Sequence, residues 1–177
     1  MSIGIILRAA RFAAEKHKDQ QRKGEDGSPY IHHPLDVACL LATEGGIENP
    51  DVLVAALLHD TLEDTATTPA ELIALFGEKI VGIVKEVSDD KSLPKEVRKE
   101  EQVRNAPGLS FEAKLVKLAD KICNTRDILA FPPADWSLAR KQKYFDWATR
   151  VVSGLRGVHP VLEAVFDATM ARRKELG

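Results

Sequence analysis

The segment Leu57-Leu58-His59-Asp60-Thr61-Leu62-Glu63-Asp64 ends an apolar run with one histidine and three carboxylates. The run from Val52 to Leu62 has no strand-like alternation and is long enough for a helix. Asn49-Pro50 supplies a start signal, a capping side chain followed by a first-turn proline. Continued through Asp64 at 3.6 residues per turn, this helix predicts His59, Glu63, Asp60 and Asp64 within an arc of about 140°. Apolar residues occupy the whole circumference, with Val52 and Ala56 on the side of that arc and Val54, Leu58 and Leu62 opposite. A helix that is apolar all round is a buried one. Buried carboxylates are unfavourable unless paired or bound to a cation. The cluster therefore predicts a metal.

Zinc, manganese and iron accept imidazole and carboxylate ligands together. His59 and Asp60 need partners from elsewhere in the chain, and two residues stand out. His33 closes Tyr30-Ile31-His32-His33-Pro34. Asp120 borders the apolar stripe of Leu115, Leu118, Ala119, Ile122 and Cys123. Each has a plainer reading taken alone: a surface or capping histidine, a salt-bridge partner for Lys117 or Lys121. Glu63 and Asp64 could likewise only cap helices. Their joint occurrence carries the argument.

The rest of the sequence predicts an all-α chain, with residues 1–177 as one domain. Helices are expected over Ile3–Gln20, Leu35–Thr43, Glu78–Val87, Phe111–Leu129, Trp136–Gly154 and Pro160–Leu176. Thr68-Pro69-Ala70-Glu71 reads as a capping box opening a helix that stops at Gly77. Ser88–Lys99 reads as a charged loop leading into a short helix, and Asn105–Ser110 as a turn. Turn signals at Lys23-Gly24, Asp26-Gly27 and Ser28-Pro29 leave room for a small β-hairpin in the 21–31 loop.

A formal net charge of −2 argues against a general nucleic-acid binder, though not against a local basic pocket for a small anion. No stretch approaches the roughly 20 apolar residues of a membrane span. The two cysteines, Cys39 and Cys123, form no metal-type pair or disulfide framework and read as small core residues. A reducing, cytoplasmic setting fits. Both tryptophans read as core, His17 as a surface or capping residue, and His159 as a cap before Pro160.

Three stretches together resemble a known family: Tyr30-x-x-His33-Pro34, His59-Asp60-x-x-Glu63-Asp64, and Lys117-Leu118-Ala119-Asp120-Lys121-x-x-Asn124-x-Arg126. They look like the HD-superfamily hydrolase module of the RelA/SpoT proteins, which degrade the alarmones ppGpp and pppGpp of the stringent response. Arg22-Lys23, Val87-Ser88-Asp89-Asp90-Lys91-x-Leu93-Pro94 and Tyr144-Phe145-x-Trp147-Ala148 extend the likeness over essentially the whole chain. It is closest to the free-standing small alarmone hydrolases. The resemblance implies a helical HD fold and one Mn²⁺ held by His33, His59, Asp60 and Asp120. It matches Glu63 and Asp64 to catalysis, and Arg22, Lys23, Asn124 and Tyr144 to the nucleotide.

The reaction so implied is hydrolysis of the ester between a ribose 3′ oxygen and pyrophosphate. Such a substrate requires cationic contacts. Besides Arg22 and Lys23, the charged loop offers Lys91, Lys95, Arg98 and Lys99, which otherwise form a solvated face. Two alternatives keep the same site: an NADPH 2′-phosphatase, and a nucleotide-binding sensor without chemistry. The oligomeric state is not legible.

Overall fold

The computed structural model describes residues 2–24 and 27–176. Its helices are α1 (Ser2–Lys16), α2 (His32–Thr43), α3 (Pro50–Leu58), α4 (Thr61–Asp64) and α5 (Pro69–Phe76), then α6 (Glu78–Val87), α7 (Lys95–Asn105), α8 (Phe111–Ala130), α9 (Leu138–Ser153) and α10 (Pro160–Ala171). Single 3₁₀ turns cover Ala106–Gly108 and Arg172–Glu175. The all-α expectation holds. In the 21–31 loop the described residues carry only one antiparallel bridge, between Gln21 and Pro29, so the hairpin is not a ladder. The turn signal at Asp26-Gly27 lies partly outside the described residues.

Helix α3 is the structural centre. Every residue from Val52 to Leu58 is buried, and the helix packs against α1, α2, α6 and α8. Asn49 caps it by accepting from the Asp51 amide at 3.0 Å. The expected continuation through Leu62 does not occur. The helix ends at Leu58, and His59 and Asp60 form a turn before the one-turn α4. The cause is local. The His59 ring Nδ1 reaches the Ala56 carbonyl at 2.7 Å, and the Thr61 hydroxyl donates to the Leu58 carbonyl at 2.7 Å. Side chains thus compete for the carbonyls that a continuous helix would use. Asp60 sits at φ −96°, ψ −5°, the sparsely populated bridge region where many active-site residues lie.

Helix α8 is the second axis, packed against α2, α3, α6, α9 and α10. Its middle is buried on every side, Lys117, Asp120 and Lys121 included. By contrast, α7 contains no fully buried residue and packs chiefly on α9. The segment read as a loop up to Lys99 becomes helical at Lys95, immediately after Pro94.

Other boundaries shift by a few residues. Helix α1 stops at Lys16 rather than Gln20, α2 begins at His32, α9 starts at Leu138, and α10 gives way to a 3₁₀ turn after Ala171. Thr68 caps α5 through the Glu71 amide at 3.2 Å, but the Glu71 carboxylate pairs with Lys16 at 2.9 Å instead of closing the box. His159 caps α10 as expected, accepting from the Leu162 amide.

Three single-residue expectations are corrected. Cys39 is exposed, because it lies on the outer face of α2, whereas Cys123 is buried as expected. His17 is 1 % exposed, because the Tyr30 ring returns to cover it. Trp147 belongs to the core, but Trp136 is only half-buried and faces the cavity described below.

Gly154 ends α9 where the Ala106–Gly108 turn crosses it; a Cβ there would lie 2.8 Å from the Ala106 Cβ and 2.9 Å from the Pro107 Cδ. Gly154→Ala is therefore expected to destabilise the fold by about 1–3 kcal/mol through overpacking, measured by chemical denaturation.

Candidate metal centre and active-site cavity

Four side chains from three elements converge at the end of α3. His33 comes from the first turn of α2, His59 and Asp60 from the turn after α3, and Asp120 from the middle of α8. His33 Nε2 lies 3.1 Å from Asp120 Oδ1 and 3.8 Å from Asp60 Oδ2. His59 Nε2 lies 3.0 Å from Asp60 Oδ2 and 3.8 Å from Asp120 Oδ1. Donor atoms of His33, His59 and Asp60 all fall within 4.8 Å of one another. Asp120 faces the same two imidazoles from across the group.

The donor set fits a divalent cation, and one orphaned atom makes the case. The Ala56 carbonyl can only accept, so His59 Nδ1 carries the proton. In the neutral ring His59 Nε2 is then a lone pair, buried, without a hydrogen-bond partner, and turned toward carboxylate oxygens. A lone pair facing an anion is repulsive unless a proton or a metal sits between them. Without a metal, burial opposes a charge on His59, but Asp60 and Asp120 outweigh it and push the imidazole up to about 9. Burial likewise opposes ionisation of both carboxylates. The His59 ring holds Asp60 below the ordinary range, and Lys121 with the two histidines does the same for Asp120. The group is set to keep two carboxylates charged inside a protein, as a cation site requires.

The carboxylates are held from behind. Tyr30 donates its hydroxyl to Asp60 Oδ2 at 2.6 Å. Lys121 donates to Asp120 Oδ2 at 2.9 Å, and Asn124 to Asp120 Oδ1 at 2.5 Å. Metal-site carboxylates are commonly oriented by such partners. Tyr30 and Lys121 were not among the expected site residues. The Tyr30-x-x-His33 spacing carried the first signal, and the Lys117-x-x-x-Lys121 pair on a buried stripe carried the second.

The cluster opens into a cavity of about 630 Å³. Every expected site residue lines it: His33, His59, Asp60, Asp120, Glu63, Asp64, Arg22, Lys23, Asn124, Tyr144, Lys91 and Arg98. Glu63 and Asp64 stand on α4, beside the cluster. Glu63 accepts from the Asp89 amide at 3.1 Å and faces Arg98 at 3.4 Å. Burial, then the nearby Asp89, Asp60 and Asp64 charges, raise its carboxyl above the usual range against that amide bond. Asp64 is paired with Lys91 at 2.5 Å. The two neighbours thus occupy different environments.

Away from the cluster the cavity is basic and aromatic. Lys95 and Lys99, offered by the charged segment, line it together with Arg140. Burial first, then the facing charges of Lys99, Arg140 and Lys23, hold Lys95 below the ordinary lysine value. Cations are thus crowded around a shared volume, an arrangement that an anion relieves. The charged segment is therefore more than a solvated face. Arg22 donates to Asn124 at 3.0 Å, pairs with Asp127 and lies over the Tyr30 ring. Tyr144 stands between Trp136 and Trp147, with ring centroids 5.8 and 5.2 Å away. Trp136, Arg140 and Asp127 are cavity residues that sequence reasoning did not single out for the site.

Residues 9–146 match the model of the HD domain family. A frog protein (Xenopus tropicalis) named guanosine-3′,5′-bis(diphosphate) 3′-pyrophosphohydrolase MESH1 is 55% identical over 92% of this chain and 91% of its own length. The human protein of that name is 53% identical over 95% of this chain and 94% of its own length. A metazoan orthologue of SpoT, whose solved structure is described as that of a protein hydrolysing ppGpp with a role in starvation responses, superposes with a TM-score of 0.93. It is 42% identical and covers 97% of each chain. This is an HD-domain fold with an HD-type site, and the chain belongs to the MESH1 family. A longer Aquifex aeolicus protein named guanosine-3′,5′-bis(diphosphate) 3′-pyrophosphohydrolase is 42% identical over 71% of this chain, which corresponds to 18% of that protein.

Adding Mn²⁺ to chelator-stripped protein is expected to raise its thermal midpoint, with about 2.7 kcal/mol of stabilisation at a hundredfold excess over Kd. His59→Ala and Asp120→Ala should abolish the metal-dependent shift in differential scanning calorimetry.

Proposed function

We propose that this chain, a metal-dependent hydrolase of phosphoric esters, removes pyrophosphate from the ribose 3′ position of ppGpp and pppGpp, leaving GDP or GTP. Residues 1–177 act as one HD hydrolase domain in this reading, with Mn²⁺ as the ion. The observation that carries it is a single cavity joining a His-His-Asp-Asp cluster, two carboxylates in unlike environments and a crowd of cations. The names of relatives more than half identical to the chain support the substrate.

His33, His59, Asp60 and Asp120 would hold the ion, which when bound supplies Lewis acidity to a phosphoryl oxygen and to water. Glu63 is assigned the proton of the attacking water. Its raised pKa brings it nearer the operating pH, where a general base works best. Asp64, paired with Lys91, orients that water, and the protonated Glu63 gives its proton up to the leaving 3′ oxygen. Lys91 and Arg98 meet the pyrophosphate charge. Arg22 and Lys23 engage the nucleotide. Asn124, already bonded to Asp120 and Arg22, links the metal group to the ribose side. Tyr144 offers a ring to the base.

Purified protein with Mn²⁺ should release pyrophosphate from ppGpp. No release by folded, metal-loaded protein would overturn the proposal, and phosphate release from NADPH in a parallel assay would replace the substrate. The double variant Glu63→Ala, Asp64→Ala should lose roughly 10²–10⁴-fold in kcat while keeping its metal-dependent stabilisation.

The pH profile has a definite sign. Glu63 must be ionised to take a proton, and its folded pKa lies above the ordinary carboxylate value. Activity should therefore fall on the acid side through an apparent pKa higher than that of a free glutamate. Glu63→Ala should remove that limb from the kcat profile.

A further inference from the structure

The turn that carries Glu63 and Asp64 is too short to hold itself. Helix α4 has four residues, and one isolated helical turn fixes several dihedrals for a single hydrogen bond. Its own bonds include the Asp64 amide to the Asp60 carbonyl at 2.8 Å and the Thr65 hydroxyl to the Thr61 carbonyl at 2.7 Å. Its last carbonyl, that of Asp64, accepts from outside: Gln20 Nε2 donates to it at 2.7 Å.

Gln20 is itself fixed by two further bonds. Its Oε1 accepts from His17 Nδ1 at 2.8 Å. An amide oxygen cannot donate, so this bond sets the His17 tautomer and, with it, which end of the Gln20 amide points at Asp64. The Gln20 carbonyl accepts from the Tyr30 amide at 2.9 Å. The Tyr30 ring closes over the buried His17 ring at 4.8 Å. His17 has no surface or helix-capping role that would explain an almost wholly buried imidazole just beyond the end of α1.

We infer that Gln20, oriented by His17, is a positioning residue for Asp64: it clamps the backbone of the one-turn helix so that both carboxylates stay aimed at the cavity. The inference rests on the catalytic role proposed above for Asp64. It assigns the pair no contact with substrate or metal. Two supports leave this corner of the fold in different directions. Tyr30 steadies the metal ligand Asp60 through its hydroxyl, and Gln20 steadies the catalytic turn through its amide.

Gln20→Glu separates the two bonds. A carboxylate still accepts from His17 but cannot donate to the Asp64 carbonyl. Hydrogen exchange of metal-free protein should show faster exchange in a peptide covering residues 61–65, with the rest of the chain unchanged. In the ppGpp assay, kcat should fall by up to about 10²-fold, the order that a misplacement of about 1 Å costs, with KM and Mn²⁺ affinity within about twofold of the parent. Gln20→Met, similar in shape and lacking both bonds, serves as the second variant and should show the same split.

Unchanged exchange in 61–65 would overturn the clamp whatever the activity. A parallel loss of metal affinity would show general collapse of the site and overturn it too. Parent-like kcat in Gln20→Glu, with the parent active and Asp64→Ala inactive, would overturn the positioning role alone. An inactive parent, or an active Asp64→Ala, would defeat the proposed function instead, and the exchange measurement would still decide the clamp.

Discussion

Two carboxylates held ionised inside a helical core are the constraint on which the rest depends. Asp60 and Asp120 lie 16 % and 12 % exposed by side chain, among helices that are otherwise apolar at this point. Neither position is tolerable without compensation. The surroundings supply it in layers: the imidazoles of His33 and His59, the Tyr30 hydroxyl on Asp60, and Lys121 with Asn124 on Asp120. The break in the central helix follows from the same need. A continuous α3 would keep Asp60 in regular helical geometry. Surrendering two carbonyls to the His59 and Thr61 side chains turns the aspartate toward its partners.

The second consequence is a division of charge along one cavity. Asp60 and Asp120 sit in the cluster, while Lys91, Lys95, Arg98, Lys99 and Arg140 line the rest of the cavity. Glu63 and Asp64 stand at the boundary, and each takes the character of its neighbours. Glu63 is raised by burial and by like charges, while Asp64 is drawn to Lys91.

Much of this was legible in the sequence because the residues proposed for metal and catalysis sit on the strongest patterns in it. The apolar run before His59 marks the central helix, and Asp120 interrupts an otherwise clear stripe on α8. The likeness to a known family tied His33 to them across 26 residues of chain. What could not be read depended on contacts that periodicity does not count. The helix break arises because side chains outcompete the backbone for the Ala56 and Leu58 carbonyls. His17, flanked by Glu15, Lys16, Lys18 and Asp19, looked solvated, yet a chain reversal brings Tyr30 over it. Cys39 has apolar neighbours in sequence, but only one face of α2 meets the core, and it is on the other. The start of α7 was hidden for the opposite reason: the composition of the charged segment suits a solvated loop, yet the expected short helix already begins at Lys95.

That helix has a consequence of its own. One wall of the cavity contains no fully buried residue and is fastened by polar links: Arg98 to Glu63, Gln102 to Asp89, Arg150 to Glu100, and the Trp147 indole to the Lys99 carbonyl. Dissolved ions therefore act on this site twice. They screen the attraction between the cavity's cations and a polyanion, and they weaken the ion pairs that hold the wall in place. Under the proposed function Arg98 belongs to both the recognition surface and the scaffold, so ionic strength would set both how well the site binds and how firmly it keeps its shape.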